Sequence, residues 1–367
     1  MTSQPPTSRY HRQMLLPGIG ERGQQQLAES HAIVIGCGAL GCANADALAR
    51  AGVGHLTLVD RDIVELTNLQ RQVLFDESDA KAGLPKAQAA KQRLEKINSQ
   101  IQIDAIVADA TPANIEELTG ARGSRERVDV IVDGLDNFET RYLLNDVSTA
   151  HAIPYVYGGA VAMHGAVYAI LPQTLSADTP WEKAGAAGPD LEQIFPEPPP
   201  PGSTPTCDTA GVLGPLISIV AGFQAAEALR ILTHQWQAIN RQLLQIDLQT
   251  HKITEIDVTT LVESSYPQRL HRFLKGTSAS ETTSLCGRHA VQITPPVRTA
   301  TPFDLKACSD RLSTFGPAQL SPYLVRGEVT EANKTFEITV FQDGRAIIKG
   351  TEDPTLARSL YARYVGN

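Results

Sequence analysis

The segment Leu58–Gln72 reads LVDRDIVELTNLQRQ and lies between a glycine turn and a lone Lys86. Its side chains are of the kind that handle phosphate: an amide at Asn68, a guanidinium at Arg71 and, further on, the ammonium of Lys86. Reaction at a phosphoryl group builds charge on the equatorial and leaving oxygens, so positioned cations and amide donors are what such chemistry requires. Two acids frame the set. Asp60 ends one apolar run and can accept the hydroxyls of a ribose, and Asp136 follows another, VDVIVDGLD. With ATP laid adenosine on Asp60 and phosphates over the glycine turn, Arg71 and Lys86 supply fixed cations and Asn68 a donor. Asp136 then offers an oxygen ligand to the Mg²⁺ that accompanies the phosphates. No catalytic histidine stands out, which fits a nucleophile already ionised, such as a carboxylate with a pKa of ~3.5. Taken singly, Arg71 and Lys86 also read as solvated surface cations and Asp136-Asn137 as a helix cap. Their order along the chain favours the phosphate reading.

The elements that must hold these groups follow from pattern. HAIVIG, residues 31–36, is a short β-branched apolar run ending in glycine, which predicts a buried parallel strand. Gly36-Cys37-Gly38-Ala39-Leu40-Gly41 matches G-x-G-x-x-G: Gly36 for the tight turn, Gly38 for close approach of a phosphate, Gly41 for close helix packing. A helix with its packing face on Ala43, Ala47, Leu48 and Ala51 then ends at Gly52, and a second strand, HLTLVD, ends at Asp60. Helix over 85–97, strand over 101–108, strand over 128–133 and helix over 137–150 continue the alternation, which predicts a Rossmann-like, largely parallel sheet with helices on both faces. Beyond Pro154 the texture predicts added antiparallel strands over 155–171, a Pro- and Gly-rich crossover over 172–206 with neither helix nor central strand, a core helix over 210–232 and a hairpin over 243–258. The segment 259–302 reads as a linker or extended arm. Residues 303–367 read as a small α/β module with a type I′-like Asp343-Gly344 turn.

At 367 residues the chain accommodates two or three domains, and its net charge of −8 with no basic run argues against a nucleic-acid partner. No stretch reads as long and apolar enough for a bilayer, and the opening MTSQPPTSRYHRQ lacks the apolar core of a signal peptide, so a cytoplasmic protein is expected. Five scattered cysteines fit reduced thiols. Cys37 and Cys42 beside the glycine turn read as small packing residues, while Cys286 and Cys308 have no partner pattern. Cys207 follows the Pro-rich approach and precedes a helix, whose positive end would lower its pKa.

These residues resemble the ThiF/MoeB/HesA-type adenylyltransferases, bacterial relatives of the ubiquitin-activating enzymes. The match runs from about Arg9 to Val258 through RYHRQ, GCGALGC, VDRDIVELTNLQRQ, GLPKA, DGLDNFETR, GGAV and CDTAGVLGP. The resemblance implies a homodimer that uses ATP and Mg²⁺ to adenylate the C-terminal Gly-Gly carboxylate of a ubiquitin-like sulfur carrier, ThiS- or MoaD-like, for thiamin or molybdopterin synthesis. It further implies that Arg12 reaches the ATP of the neighbouring subunit and that Asp60 binds ribose. Gly36, Gly38, Ala39, Gly41, Asp62, Thr67, Asn68, Gln70, Arg71, Gln72, Lys86 and Asn137 line the nucleotide, with Asp136 on Mg²⁺ and Cys207 facing the carrier tail. The chain departs from the family in two respects. Where many members carry two zinc-binding CxxC pairs, it has Asp190-Leu191-Glu192-Gln193 and, approximately, Tyr266-Pro267-Gln268-Arg269, so no tetrahedral zinc site is expected. Where some relatives fuse a rhodanese domain, residues 303–367 are too short for one and Cys308 sits on a helical pattern. An NAD-dependent oxidoreductase would explain the glycine turn and Asp60 but not Arg71, Lys86 or Asp136. An idle scaffold that keeps the fold would leave the phosphate set without purpose. An adenylating relative acting on another carboxylate, peptide or tRNA-linked, would share the same chemistry.

Overall fold

The computed structural model describes residues 9–173, 178–198, 210–261, 271–276, 282–285, 289–293, 303–331 and 334–366. Cys207, Cys286 and Tyr266-Pro267-Gln268-Arg269 lie outside the described residues. The chain divides into two compact units, Met1–Thr277 and Ser278–Asn367.

In the first unit a short helix α1 (His11–Met14) and α2 (Gly20–Glu29) lead into β1 (His31–Ile35), α3 (Ala39–Ala51) and β2 (His55–Asp60). There follow α4 (Glu77–Ala82), α5 (Lys86–Ile97), β3 (Gln102–Val107), α6 (Ile115–Leu118), β4 (Val130–Asp133), α7 (Phe138–His151) and the antiparallel pair β5 (Tyr155–Val161) and β6 (His164–Ile170). The strand order is β3-β2-β1-β4-β5-β6-β7-β8, the last two being β7 (Gln242–Asp247) and β8 (Lys252–Asp257). Strands β3 to β5 run parallel and the rest antiparallel. All five residues of β1 are buried because both faces are covered. Ala32 and Val34 join the core that contains α3 and α5, and Ile33 and Ile35 the core that contains α6 and α7. The chain winds from β1 out to β3 and then crosses to β4 on the other side of β1. The carboxyl ends of β1 and β4 therefore flank a topological switch point, where open α/β sheets bind their ligands.

Several expectations need correction. The crossover over 172–206 contains two short helices, α8 (Pro180–Lys183) and α9 (Leu191–Ile194), each started by a capping box, at Thr179 with Glu182 and at Asp190 with Gln193. Local capping thus overrides the Pro-rich composition around it. The long helix α10 (Gly214–Leu232), with Pro215 in its first turn, is long and apolar enough by length and composition to cross a membrane, contrary to the bilayer reading above. It is nevertheless packed into this core, and its fully buried Gln224 accepts from Asn44 Nδ2 at 2.9 Å and donates to the Asp133 carbonyl at 2.9 Å. Helix α2 carries no clear apolar pattern: its sequence GERGQQQLAE buries only Gly23, Gln24 and Leu27.

The second unit is a six-stranded antiparallel sheet, β11-β12-β13-β14-β10-β9, with β9 (Thr282–Leu285), β10 (Ala290–Ile293), β11 (Ala318–Leu320), β12 (Leu324–Glu331), β13 (Lys334–Phe341) and β14 (Ala346–Lys349). Two of its strands fall in the segment read as an arm. Helices α11 (Leu305–Leu312) and α12 (Pro354–Tyr364) pack Leu312, Leu360 and Tyr361 against Val325, Ile338 and Ile348. The Asp343-Gly344 turn is not type I′, because Gly344 has a φ of 79° and Asp343 is not among the residues with positive φ. Gly344 N–H bonds to Phe341 O and Phe341 N–H to Arg345 O, the three-residue hairpin that ends in a left-handed glycine.

Candidate active site

The glycine turn is set by backbone packed on backbone. Gly36 has a φ of 89°, and a Cβ there would meet the Gly134 carbonyl oxygen at 2.7 Å; a Cβ on Gly134 would meet Gly36 O at 2.1 Å. Only glycine fits at both places, so the turn after β1 and the turn after β4 interlock. Gly38 caps α3 and has only the Gly134 oxygen near its missing Cβ, at 3.5 Å, which leaves the approach to its backbone open. Ala39 is the first residue of α3.

Asp60 sits 9% exposed at the end of β2 and is tied to that turn: its Oδ2 accepts from Cys37 N–H and its Oδ1 from Asp62 N–H, both at 2.6 Å. Burial pushes its carboxyl pKa up, with Asp62 adding to the rise and Lys86 opposing it. Lys86 is the first residue of α5, its side chain 4% exposed. Its main-chain N–H donates to Asp62 O at 2.9 Å, and its Nζ lies 3.3 Å from Asp62 Oδ2. A cation at a helix N-terminus is disfavoured by the helix dipole. The carboxylates of Asp60 and Asp62 beside its ammonium offset that in a mostly dry place. Asp62 therefore positions Lys86.

The intervening segment folds as a 3-10 turn over Leu66–Asn68, with Asn68 buried as its reciprocal cap: its Oδ1 accepts from Glu65 N–H at 3.0 Å. Arg71 donates to Thr67 O at 2.9 Å, while Thr67 and Gln70 are exposed. Gln72 is 3% exposed, and its Oε1 has no hydrogen-bond partner among the described residues. Asp136 is exposed just after β4, and Asn137 caps α7 by accepting from Thr140 N–H at 2.9 Å. The capping reading and the site reading thus fall on adjacent residues.

Two pairs that sequence reasoning missed support this edge. Arg61 bonds Asp109 Oδ2 at 2.9 Å and approaches Asp62 Oδ1 at 3.9 Å; Asp109, Asp62 and Asp136 together raise its pKa against burial. Behind the Asp136 turn, fully buried Asp133 accepts from Arg141 Nε at 3.0 Å, Tyr155 Oη at 2.9 Å and Leu135 N–H at 2.8 Å. Arg141 in turn donates to the carbonyls of Leu135 and Gly158. Burial raises the Asp133 pKa and Arg141 opposes it. The available signal was the DGLDNFETR segment itself, in which an acid and an arginine eight residues apart sit among apolar neighbours.

Arg12 is not brought to this set within its own chain. Helix α1 is anchored at the far end of α3, where Gln13 Nε2 donates to Ala51 O at 2.9 Å, and the 13 residues of α3 separate that point from the glycine turn by about 20 Å.

The ThiF family model matches residues 10–266. The sulfur carrier protein ThiS adenylyltransferase of Bacillus subtilis is 36% identical over 364 residues, 98% of this chain and 100% of its own. The sulfur carrier protein adenylyltransferase of Thermus thermophilus is 38% identical over 239 residues, 65% of this chain and 82% of its own. E. coli MccB has the same fold for the larger part of the chain, with a TM-score of 0.54 at 21% identity, covering 70% of this chain and 71% of that one. These names do not favour an oxidoreductase.

Proposed function

The chain belongs to the ThiF family, and from that premise we propose that it is an ATP-dependent adenylyltransferase that activates the C-terminal glycine carboxylate of a ubiquitin-like sulfur carrier of the ThiS or MoaD kind, serving thiamin or molybdopterin synthesis. The observation that carries the reading is the Lys86–Asp62–Asp60 cluster at the switch point beside the glycine turn, in a chain matched end to end by a ThiS adenylyltransferase.

In the reaction a carrier carboxylate oxygen attacks the α-phosphorus of ATP, forming the acyl-adenylate, and the bond to the bridging oxygen breaks to release pyrophosphate. Asp60 takes the ribose hydroxyls with lone pairs left over from its two backbone bonds. The backbone from Gly36 to Gly41 lies under the phosphates. Lys86 and Arg71 meet the charge that builds on the phosphoryl oxygens, with Asn68, Gln70, Gln72 and Thr67 as polar neighbours. Asp136, an exposed hard oxygen donor at the same edge, fits Mg²⁺, which would neutralise phosphate charge when bound. A partner subunit completes the site with Arg12. Leu15 and Leu16, 67% and 55% exposed beside Arg12, and Leu66 and Val73, 69% and 58% exposed beside the phosphate set, give both halves of such a homodimer apolar surface to bury. The family resemblance gives Cys207 a role after adenylation, as the thiol that meets the activated carrier tail.

Carrier-dependent exchange of labelled pyrophosphate into ATP tests the reading directly. Exchange that requires ThiS or MoaD with an intact Gly-Gly tail supports it. Exchange driven by a peptide or by a tRNA-linked carboxylate would move the substrate and leave the chemistry.

A further inference from the structure

At the amino ends of the parallel strands, on the opposite edge of the sheet from the nucleotide site, His31 opens β1 and His55 opens β2. Their rings stack with centroids 3.7 Å apart and planes 8° apart. Each ring is held through Nε2. That of His31 lies 2.8 Å from Thr57 Oγ1, and that of His55 lies 3.0 Å from Asp104 Oδ2, with the Gln102 amide 3.2 Å away beside the same contact. The carboxylate contact is the shorter and charge-assisted one, so it fixes the proton on His55 Nε2 and turns the Nδ1 lone pair the other way. There His55 Nδ1 faces Glu126 Oε2 at 3.7 Å. His31 Nδ1 is buried with no hydrogen-bond partner among the described residues, in a residue 5% exposed. One ligand atom from each of His31, His55 and Glu126 falls within 4.8 Å of the others.

We propose that His31, His55 and Glu126 form a binding site for a divalent transition-metal ion of zinc or cobalt type. Two imidazole nitrogens and a carboxylate are the donor set such ions take, and a carboxylate on the other ring nitrogen, as Asp104 is on His55, commonly orients a metal-bound imidazole. A tetrahedral ion with bonds of about 2.0–2.1 Å needs its ligand atoms roughly 3.4 Å apart, so the cluster must close on loading. Glu126, whose side chain is 75% exposed, has the freedom to swing in. The lone pairs lie in the ring planes, so loading also fans the two stacked rings apart. Arg125 acts against a cation here. Asp104, and Asp129, which accepts the His31 N–H at 2.8 Å, act for it. The six residues of β2 place this cluster about 17 Å from Asp60, so the ion's effect is to pin the segment carrying Glu126 to the sheet, outside the adenylation chemistry. The site shares no residue with the CxxC positions discussed above.

The test titrates chelator-treated full-length protein with Co²⁺ alone, read by visible absorption, and with Zn²⁺ alone, read by calorimetry. One ion per chain is expected, with His55→Gln and Glu126→Gln each weakening binding at least tenfold and alkylation of the thiols leaving it unchanged. Glu126→Gln lies on the exposed surface and serves if the His55 variant does not fold; its pyrophosphate exchange should equal that of the parent protein. The His31 and His55 ring proton signals should move on zinc addition. No binding up to millimolar ion, equal binding in Glu126→Gln, or binding lost with thiol alkylation overturns the proposal.

Discussion

Lys86 and Asp62 are joined twice, 24 residues apart in sequence: main chain to main chain at 2.9 Å and Nζ to Oδ2 at 3.3 Å. The double tie fixes both the start of α5 and the direction of its buried ammonium. Lys86→Ala removes the charge proposed to meet the phosphates and should lower carrier-dependent pyrophosphate exchange on the order of 10² or more, as should Arg71→Ala. Asp62→Asn keeps the charge of Lys86 and loses its guide, so it should cost less than either. Exchange near the parent rate in both cation variants would remove the assignment.

Helix α1, which carries Arg12, is anchored at the end of α3 that lies about 20 Å from the glycine turn, which yields a complementation experiment. If the proposed homodimer shares its site, neither Arg12→Ala nor Lys86→Ala protein should be active alone, yet a mixture should regain part of the activity once subunit exchange is shown with tagged chains. Exchange of subunits without return of activity would rule out the shared site.

Thiol reactivity should separate the cysteines. Burial raises the pKa of Cys37 and Cys42, and pushes that of Cys308 up to about 11. Brief alkylation at neutral pH followed by peptide mapping should therefore label Cys207 ahead of these three. Cys207→Ser should retain adenylation, because the carboxylate attacks ATP without sulfur, and lose only the later transfer. Loss of exchange in a folded Cys207→Ser protein would place the thiol in the first step instead.

The Asp133–Arg141 pair is buried and bonded on all sides, so breaking it leaves a lone charge in the core. Arg141→Met should cost about 3–5 kcal/mol in chemical denaturation and weaken nucleotide binding by loosening the Asp136 turn. A loss below about 1 kcal/mol would mean that the pair is not needed to hold that turn.

Acid should destabilise the fold through His31. Burial, with His55 and Arg125, lowers its pKa to about 4 from an ordinary 6.5, while Asp104 opposes. Glu126 and Asp129 are the other charged groups that face this edge. The stabilising condition, a neutral ring in both states, is fully met above pH ~6.5. As pH falls toward 4 the unfolded chain takes up a proton that the fold refuses, and on the order of 2 kcal/mol is lost after allowance for solvent screening. His31→Asn should flatten that limb of the stability–pH curve; an unchanged limb would assign it to other groups.

The elements around the phosphate set were legible because their signals are local. A β-branched run ending in glycine can hardly be other than β1, and a proline before Lys86 starts α5 where the pattern says. What the pattern could not show is partnership across distance. Nothing local in Arg61 points to Asp109, nor in Gln224 to Asn44 and the Asp133 carbonyl, because these bonds arise only once the sheet has assembled. Segment 282–293 carries no strand signal for the same reason, since β10 is fixed by pairing with β14 and β9 by pairing with β10. Gly134 carries no such local signal either, although its lack of a side chain matters as much as that of Gly36.

That pairing of Gly36 with Gly134 makes the two turns one mechanical part. A single methyl group on either would act as a wedge, lifting the phosphate cradle and the Asp136 turn together. A Gly134→Ala chain, altered nearly a hundred residues from the fingerprint motif, would present at the bench as a nucleotide-binding defect. The two turns can therefore shift only as a couple, each setting the room left to the other.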